Sequence, residues 1–220
     1  IIVFTTDHGI AMPFCKCSLF DSGIGVSFIM RVPGSPSRGK VTDTLVSHID
    51  MFPTFCDLLG LPKPDYLEGA SFSRVFENPS FEPREEVFAE INFHTSYEPC
   101  RSVRTKRYKY IRYYDDYLKI NCSNTDNSPT KSYYIHNGLE SRVKEREALY
   151  DLLYDPGERR NLIANEELQT IAKGLREKLD FFQKKTEDPL LEGAIGIRPG
   201  WKVNRPECVD PSSRDPEDYV

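Results

Sequence analysis

The chain begins with an apolar run, Ile1-Ile2-Val3-Phe4, that passes through two threonines into Asp7-His8-Gly9. A run with so little polar alternation predicts a strand over residues 1–5 that is covered on both faces. Strands of that kind belong to parallel sheets flanked by helices. In open α/β sheets, ligands gather outside the carboxyl ends of the strands. An acid and an imidazole placed there, followed by a glycine that permits close backbone approach, are suited to hold a metal ion. The same three residues also make an ordinary strand-ending turn, and on the dipeptide alone the turn is the better reading.

"VSFIMRV", residues 26–32, predicts a second strand closed by Pro33-Gly34. In "SHIDMFPTFCDLLGL" a helix is expected with Asp50 as N-cap, Pro53 in the first turn and Gly60 just past the end. Phe52, Phe55, Leu58 and Leu59 then share one face. After about residue 80 the pattern changes. Residues 86–91, 100–105 and 107–114 are short strand-like runs with close turns, the pattern of an antiparallel sheet. Residues 121–142 are polar and turn-rich. "ALYDLLYDPGERRNL" adds a strand and a turn at Asp155-Pro156-Gly157, and an amphipathic helix follows with Leu168, Ile171, Leu175, Leu179 and Phe182 along one stripe. The expected organisation is an α/β portion over 1–80, a small antiparallel α+β subdomain over 81–190, and an irregular tail over 191–220.

With 39% hydrophobic and 29% charged residues, the composition is that of an ordinary water-soluble protein. No apolar stretch approaches the ~20 residues of a membrane span. The net charge of −5 argues against general nucleic-acid binding. Cysteines 15, 17, 56, 100, 122 and 208 fit neither a zinc ribbon nor a C-x-x-C pair. Asn121-Cys122-Ser123 is formally a glycosylation sequon.

The continuation "DHGIAMPFCKCSLFDSGIGVSFIMRVPG" resembles the sulfatase family of the alkaline-phosphatase superfamily. In that family a strand ends in Asp-Asn/His-Gly, a lysine or arginine follows, and an aromatic-acid-x-Gly element precedes the next strand. The matching residues here are Asp7-His8-Gly9, Lys16 and Phe20-Asp21-Ser22-Gly23. "LVSHIDMFPTFCDLLGLPKPDYLEGASF" and "LYDLLYDPGERRNL" continue the likeness in order. "DHGIAMPFCK", "FAEINFHTSYEPCRSVRTKRYKYI" and "KTEDPLL" are most similar to N-sulfoglucosamine sulfohydrolases (heparan N-sulfatases). The resemblance implies the C-terminal part of an alkaline-phosphatase-like α/β sandwich, followed by a small antiparallel subdomain with a packed helix.

The resemblance further implies that Asp7 and His8 bind a divalent ion, usually Ca²⁺, with Lys16 as a catalytic cation stabilising charge on the sulfuryl group. Imidazole is an unusual partner for a hard ion, so His8 is read alternatively as a sulfate contact or a ligand of another metal. Glu90, His94 and Arg101 are expected to line the sugar pocket. The family's nucleophile is a formylglycine made from the first residue of C/S-x-P-S-R. In "GSPSRG" that place is Gly34, which has no side chain to convert, so the stretch reads as turn chemistry. The nucleophile, with the rest of the metal site, is therefore expected in a missing N-terminal half of the catalytic domain.

Arg101, Arg104, Lys106, Arg107, Lys109 and Arg112 form a basic cluster suited to an anionic sugar, or else a solvated outer face. The expected parent activity is hydrolysis of a sulfate ester or sulfamate on a sulfated, heparan-like amino sugar. A metal-dependent phosphodiesterase or phosphonate hydrolase of the same superfamily is the alternative, as is a non-catalytic, truncated glycan-binding fragment. Family membership suggests a periplasmic, secreted or lysosomal setting and leaves a cytoplasmic one open.

Overall fold

The structure, a computed structural model, describes residues 1–220. It has two compact units. Residues 1–6, 27–87 and 104–107 make the first; residues 7–26, 88–103 and 108–220 make the second.

In the first unit, β1 (Ile2–Thr5) pairs antiparallel with β2 (Phe28–Arg31), Ile2 lying opposite Arg31 and Phe4 opposite Ile29. The expected parallel, doubly covered strand is not what forms. Ile2, Phe4 and Ile29 are 61%, 58% and 67% exposed. This ribbon has only two strands, and nothing in the unit covers the face that carries those three side chains. Periodicity cannot distinguish a covered apolar run from an uncovered one.

The helix α2 (Met51–Leu59) ends at Gly60 with φ 64°, the left-handed geometry expected of a glycine there. Asp50 stands at the N-cap position as expected, but its side chain does not cap α2; it closes a short 3₁₀ turn, His48–Asp50, in a capping box with Ser47. The Asp50 carboxylate is wholly buried, accepts the Ala70 N–H at 2.7 Å and pairs with Arg84. The buried side of α2 is also different: Pro53, Thr54 and Cys56 face inward, while Phe52 and Leu59 are exposed. Thr54 causes this, donating to the Asp50 carbonyl at 2.6 Å and accepting the Phe72 N–H at 3.0 Å. The segment around residue 72 is thereby tied over the polar side of the helix.

The second unit carries most of a four-stranded sheet in the order β3 (Glu86–Phe93), β4 (Tyr97–Thr105), β5 (Tyr108–Tyr113), β6 (Glu147–Asp151). β5 and β6 are antiparallel, with Tyr110 opposite Leu149. Period-two alternation divides the core into two layers. Val103, Tyr110 and Leu149 face α4 (Gln169–Lys185), which contributes Ala172, Leu175 and Leu179. Phe182 extends the stripe and stacks on Phe88 with ring centroids 4.0 Å apart. Cys100, Ile111, Ala148 and Tyr150 face the other way and pack with Leu19 and Phe20. The sheet thus holds a helix on one face and the 7–26 loop on the other. The antiparallel sheet and packed helix expected from the sequence are both present.

The polar stretch 121–142 is not all loop. It contains α3 (Pro129–His136), capped by Ser128, whose side chain accepts the Lys131 N–H, with Pro129 opening the helix. Asn121 is 3% exposed, so a glycan cannot be carried there in this fold. No helix is long and apolar enough to cross a membrane.

Candidate functional site

The segment that carries the predicted residues is shaped by two glycines. The Gly9 N–H donates to the Gly23 carbonyl at 2.8 Å, and a Cβ on Gly9 would lie 1.9 Å from the Ser22 carbonyl oxygen. A Cβ on Gly23 would lie 2.1 Å from the Cys15 carbonyl oxygen. The Asp7-His8-Gly9 turn, the 13–18 loop and the short helix α1 (Asp21–Ile24) therefore meet backbone to backbone. Lys16 sits between Phe14 and Cys17, both in the left-handed region with φ 64° and 61°. Such a conformation costs a bulky residue energy and persists only where its surroundings impose it.

What imposes it includes a buried charge cluster. Lys109 of β5, fully buried, pairs with Asp21 and with Glu158 at 2.9 Å, and donates to the Leu19 carbonyl at 3.0 Å. The loop's C-terminal end is thus pinned to the sheet by an ammonium that has no access to water.

Lys16 Nζ meets Asp126 Oδ2 at 2.9 Å. The hydrogen bond to Asp126 raises the lysine pKa further and, reciprocally, lowers that of Asp126. His94 has its pKa lowered by partial burial and by the positive fields of Lys16 and His8, against the opposing effect of Asp126. Asp7 also acts on Lys16. Asp7 and His94 thus each feel Lys16 electrostatically, and His94 feels His8. Asp126 joins them from the polar 121–142 stretch, where no periodic signal marked it.

The His8 imidazole lies 2.6 Å from the Gly9 carbonyl through Nδ1. A carbonyl only accepts, so Nδ1 is the donor in this contact and Nε2 is the ring nitrogen left over. That Nε2 faces Asp7 Oδ2 at 3.6 Å, and the Asp7 side chain is 87% exposed. These are two neighbouring donors open to solvent, and they fit part of a divalent-ion ligand set. They do not make a whole one: no group of three or more His, Cys, Asp or Glu side chains in the chain could hold an ion.

Glu90 and Arg101 are placed differently from each other. The Glu90 carboxylate is 59% exposed and lies 3.4 Å from Arg101 Nε. Arg101 is 1% exposed, with Nε and Nη2 paired to Asp188 at 2.6 and 2.8 Å and Nη1 donating to the Ile91 and Cys100 carbonyls. Its guanidinium is spent on the framework. The basic cluster as a whole is not one face: Arg101 and Lys109 are internal, Lys106 pairs with Glu82 and Asp43, and Arg112 pairs with Asp180. Alternation along a strand identifies side, and charge does not identify exposure when a partner waits inside.

Gly34 and Gly39 both take left-handed φ, and Ser35 and Ser37 donate to the Phe76 and Val75 carbonyls, so "GSPSRG" is a pinned turn. All six cysteines are free thiols, and burial pushes the Cys17 pKa up to about 11.

Residues 7–145 match the family model for N-sulphoglucosamine sulphohydrolase, C-terminal, a span that contains the whole Asp7–Asp126 neighbourhood. The chain belongs to that family. An ulvan-active sulfatase from Formosa agariphila is 29% identical to this sulphohydrolase-family chain over 90% of its length and 40% of the relative's. Human N-sulphoglucosamine sulphohydrolase is 26% identical over 90% of the chain and 44% of its own length. The solved structure of a 2-O GAG sulfatase superposes with a TM-score of 0.66 at 27% identity, covering 90% of this chain and 39% of that one. The chain thus spans less than half of the length of the curated relatives it matches, about two fifths of the Formosa and human ones.

Proposed function

We propose that this chain supplies one wall of a sulfatase centre whose whole protein hydrolyses a sulfate ester or sulfamate on a sulfated amino sugar of the heparan type. The observation that supports this reading is the placing of Lys16: its ammonium is held 2.9 Å from Asp126 on a locked and strained loop, within electrostatic reach of Asp7 and His94. The names of the matching relatives support the reaction class, and the amino sugar rests on the N-sulphoglucosamine sulphohydrolase names alone.

In this reading Lys16 binds a sulfuryl oxygen and stabilises the charge that grows as the S–O or S–N bond breaks. Asp126 holds the Lys16 side chain in place and keeps it protonated. Asp7 and His8 Nε2 would hold two positions of a divalent ion, Ca²⁺ by family likeness, which would polarise a sulfuryl oxygen when bound. Glu90 and His94 face the sugar. Arg101 we assign to holding Glu90 in place through its fixed pair with Asp188. The formylglycine nucleophile is assigned to a part of the protein outside this sequence.

The test is an assay of the protein from its complete reading frame with N-sulfoglucosamine and with a phosphonate monoester. Sulfate release from the first, with kcat lowered by a factor of about 10² or more in Lys16→Ala, is the expected result. Turnover of the phosphonate alone would overturn the sulfatase reading.

A further inference from the structure

The tail over 191–220 carries no helix or strand period, yet Val203, Asn204 and Cys208 within it are buried. Residues 204–210 fold into a closed turn. The Asn204 side chain donates to the Asp210 carbonyl at 3.1 Å, and the Cys208 N–H donates to the Arg205 carbonyl at 3.0 Å. This turn reaches the surroundings of Lys16 from two directions, both within the second unit.

One direction runs through Lys131 of α3, which is 1% exposed. An ammonium has three N–H groups. Here they meet the Thr125 carbonyl at 2.7 Å, Asn127 Oδ1 at 3.2 Å and the Val209 carbonyl at 2.7 Å. Thr125 and Asn127 are the two residues that flank Asp126. Asn127 also donates to Asp210 Oδ1 at 2.8 Å. None of the three oxygens on Lys131 is charged, and a lysine is almost never buried so fully without an ionic partner. Burial accordingly pulls its pKa down. An apolar side chain would avoid the cost of desolvating a charge. What the ammonium adds is a three-way tie between the two shoulders of Asp126 and the tail.

The other direction runs to His94. The Asn204 N–H donates to the Thr95 carbonyl at 2.7 Å, and Asn124 Oδ1 accepts the Thr95 and Ser96 N–H groups at 3.2 and 2.9 Å. The 94–96 turn between β3 and β4 is thus held between the tail and the segment that leads into Asp126. The Asp126 side chain, which pairs with Lys16, is itself 47% exposed, so burial does not fix it. We propose that Lys131, tied to the 204–210 turn of the tail, is a positioning residue that fixes Asp126 and, through Asp126, the Lys16 ammonium. Its effect on turnover rests on the sulfatase reading; the fixing of Asp126 does not.

The test uses the protein from its complete reading frame, with isotope-labelled histidine, and follows the His94 ring by NMR through a pH titration. Asp126 raises the His94 pKa, and Lys131 is not among the groups that act on that ring. Lys131→Met should therefore move the titration down, as Asp126→Asn does, and should add no shift in an Asp126→Asn background. Loss of a cation's field alone would move it up, so the sign separates positioning from direct charge. Asn127→Ala, at an exposed position that supplies one oxygen of the tie, should shift the ring the same way by less. It decides the matter if Lys131→Met does not fold. An unmoved ring in the folded variant, an upward shift, or an equal shift with and without Asp126 would overturn the proposal. Sulfate release from N-sulfoglucosamine should fall by up to about 10²-fold in kcat in Lys131→Met, and a wild-type kcat would also overturn it. The expected ring shifts in a protein that releases no sulfate even as wild type would instead count against the sulfatase reading alone.

Discussion

The two-stranded ribbon of the first unit and the four-stranded sheet of the second are built from the same kinds of residue and meet opposite fates. In the ribbon, Ile2, Phe4 and Ile29 are more than half exposed. In the sheet, Val103, Tyr110, Ile111 and Leu149 are wholly buried between α4 and the 7–26 loop. Apolar content is not what separates them. A strand pair becomes stable when something covers its apolar face, and an isolated two-stranded ribbon is marginal in water. The second unit brings both covers with it, and it is the unit that holds every candidate site residue.

That contrast is sharpest at the charge cluster beneath the site. Lys109→Ala removes the buried cation that pairs with Glu158 and Asp21, and breaking a buried pair in this way typically costs ~3–5 kcal/mol. Denaturant unfolding should show that loss, and Lys16 should lose its fixed position with it. A cost below about 1 kcal/mol would mean the cluster does not anchor the loop. Leu149→Ala, in the shared core of β6 and α4, should cost ~2–5 kcal/mol. Ile29→Ser, on the uncovered ribbon, should change stability by no more than about 0.5 kcal/mol. Equal costs at the two positions would erase the difference between the units.

A smaller effect is expected at His94. Partial burial, with the positive fields of Lys16 and His8, puts its folded pKa below the ordinary value, so the fold favours the neutral ring. The sign follows from linkage: this contribution is fully present above the unfolded value near 6.5 and is lost as pH falls through the lower, folded one. Because Asp126 opposes the shift, Asp126→Asn should move the His94 titration further down, and Lys16→Ala should move it up. NMR titration of the ring reads both, and movement in the opposite directions would separate His94 from the Lys16 neighbourhood.

The strand runs between residues 86 and 151, the α4 stripe and the Gly60 terminus are legible from pattern, because period and turn chemistry are local properties. The order Asp7-His8-Gly9, Lys16, Phe20-Asp21 is legible only through its resemblance to the sulfatase family, while the close approach of Gly9 and Gly23 that shapes it appears in the structure. What escapes the sequence is pairing at long range. Lys16 and Asp126 are 110 residues apart, and Arg101 and Asp188 are 87 apart. No periodicity links either pair, and a basic strand reads as solvated until its internal carboxylates are known. The inward turn of Asp50 escapes for the same reason, since Arg84 and the Ala70 N–H complete it from a distance. Ser128-Pro129 did carry a helix-start signal within the polar stretch, and it marks α3.

The claim on which the rest depends is that Lys16, His8 and His94 share one anion-receiving neighbourhood. Titration of inorganic sulfate into the 220-residue chain, read at the ring signals of His8 and His94, tests it most directly. Both rings should shift together with one affinity, and Lys16→Ala should abolish both shifts. Rings that respond with different affinities, or that respond equally well without Lys16, would contradict it.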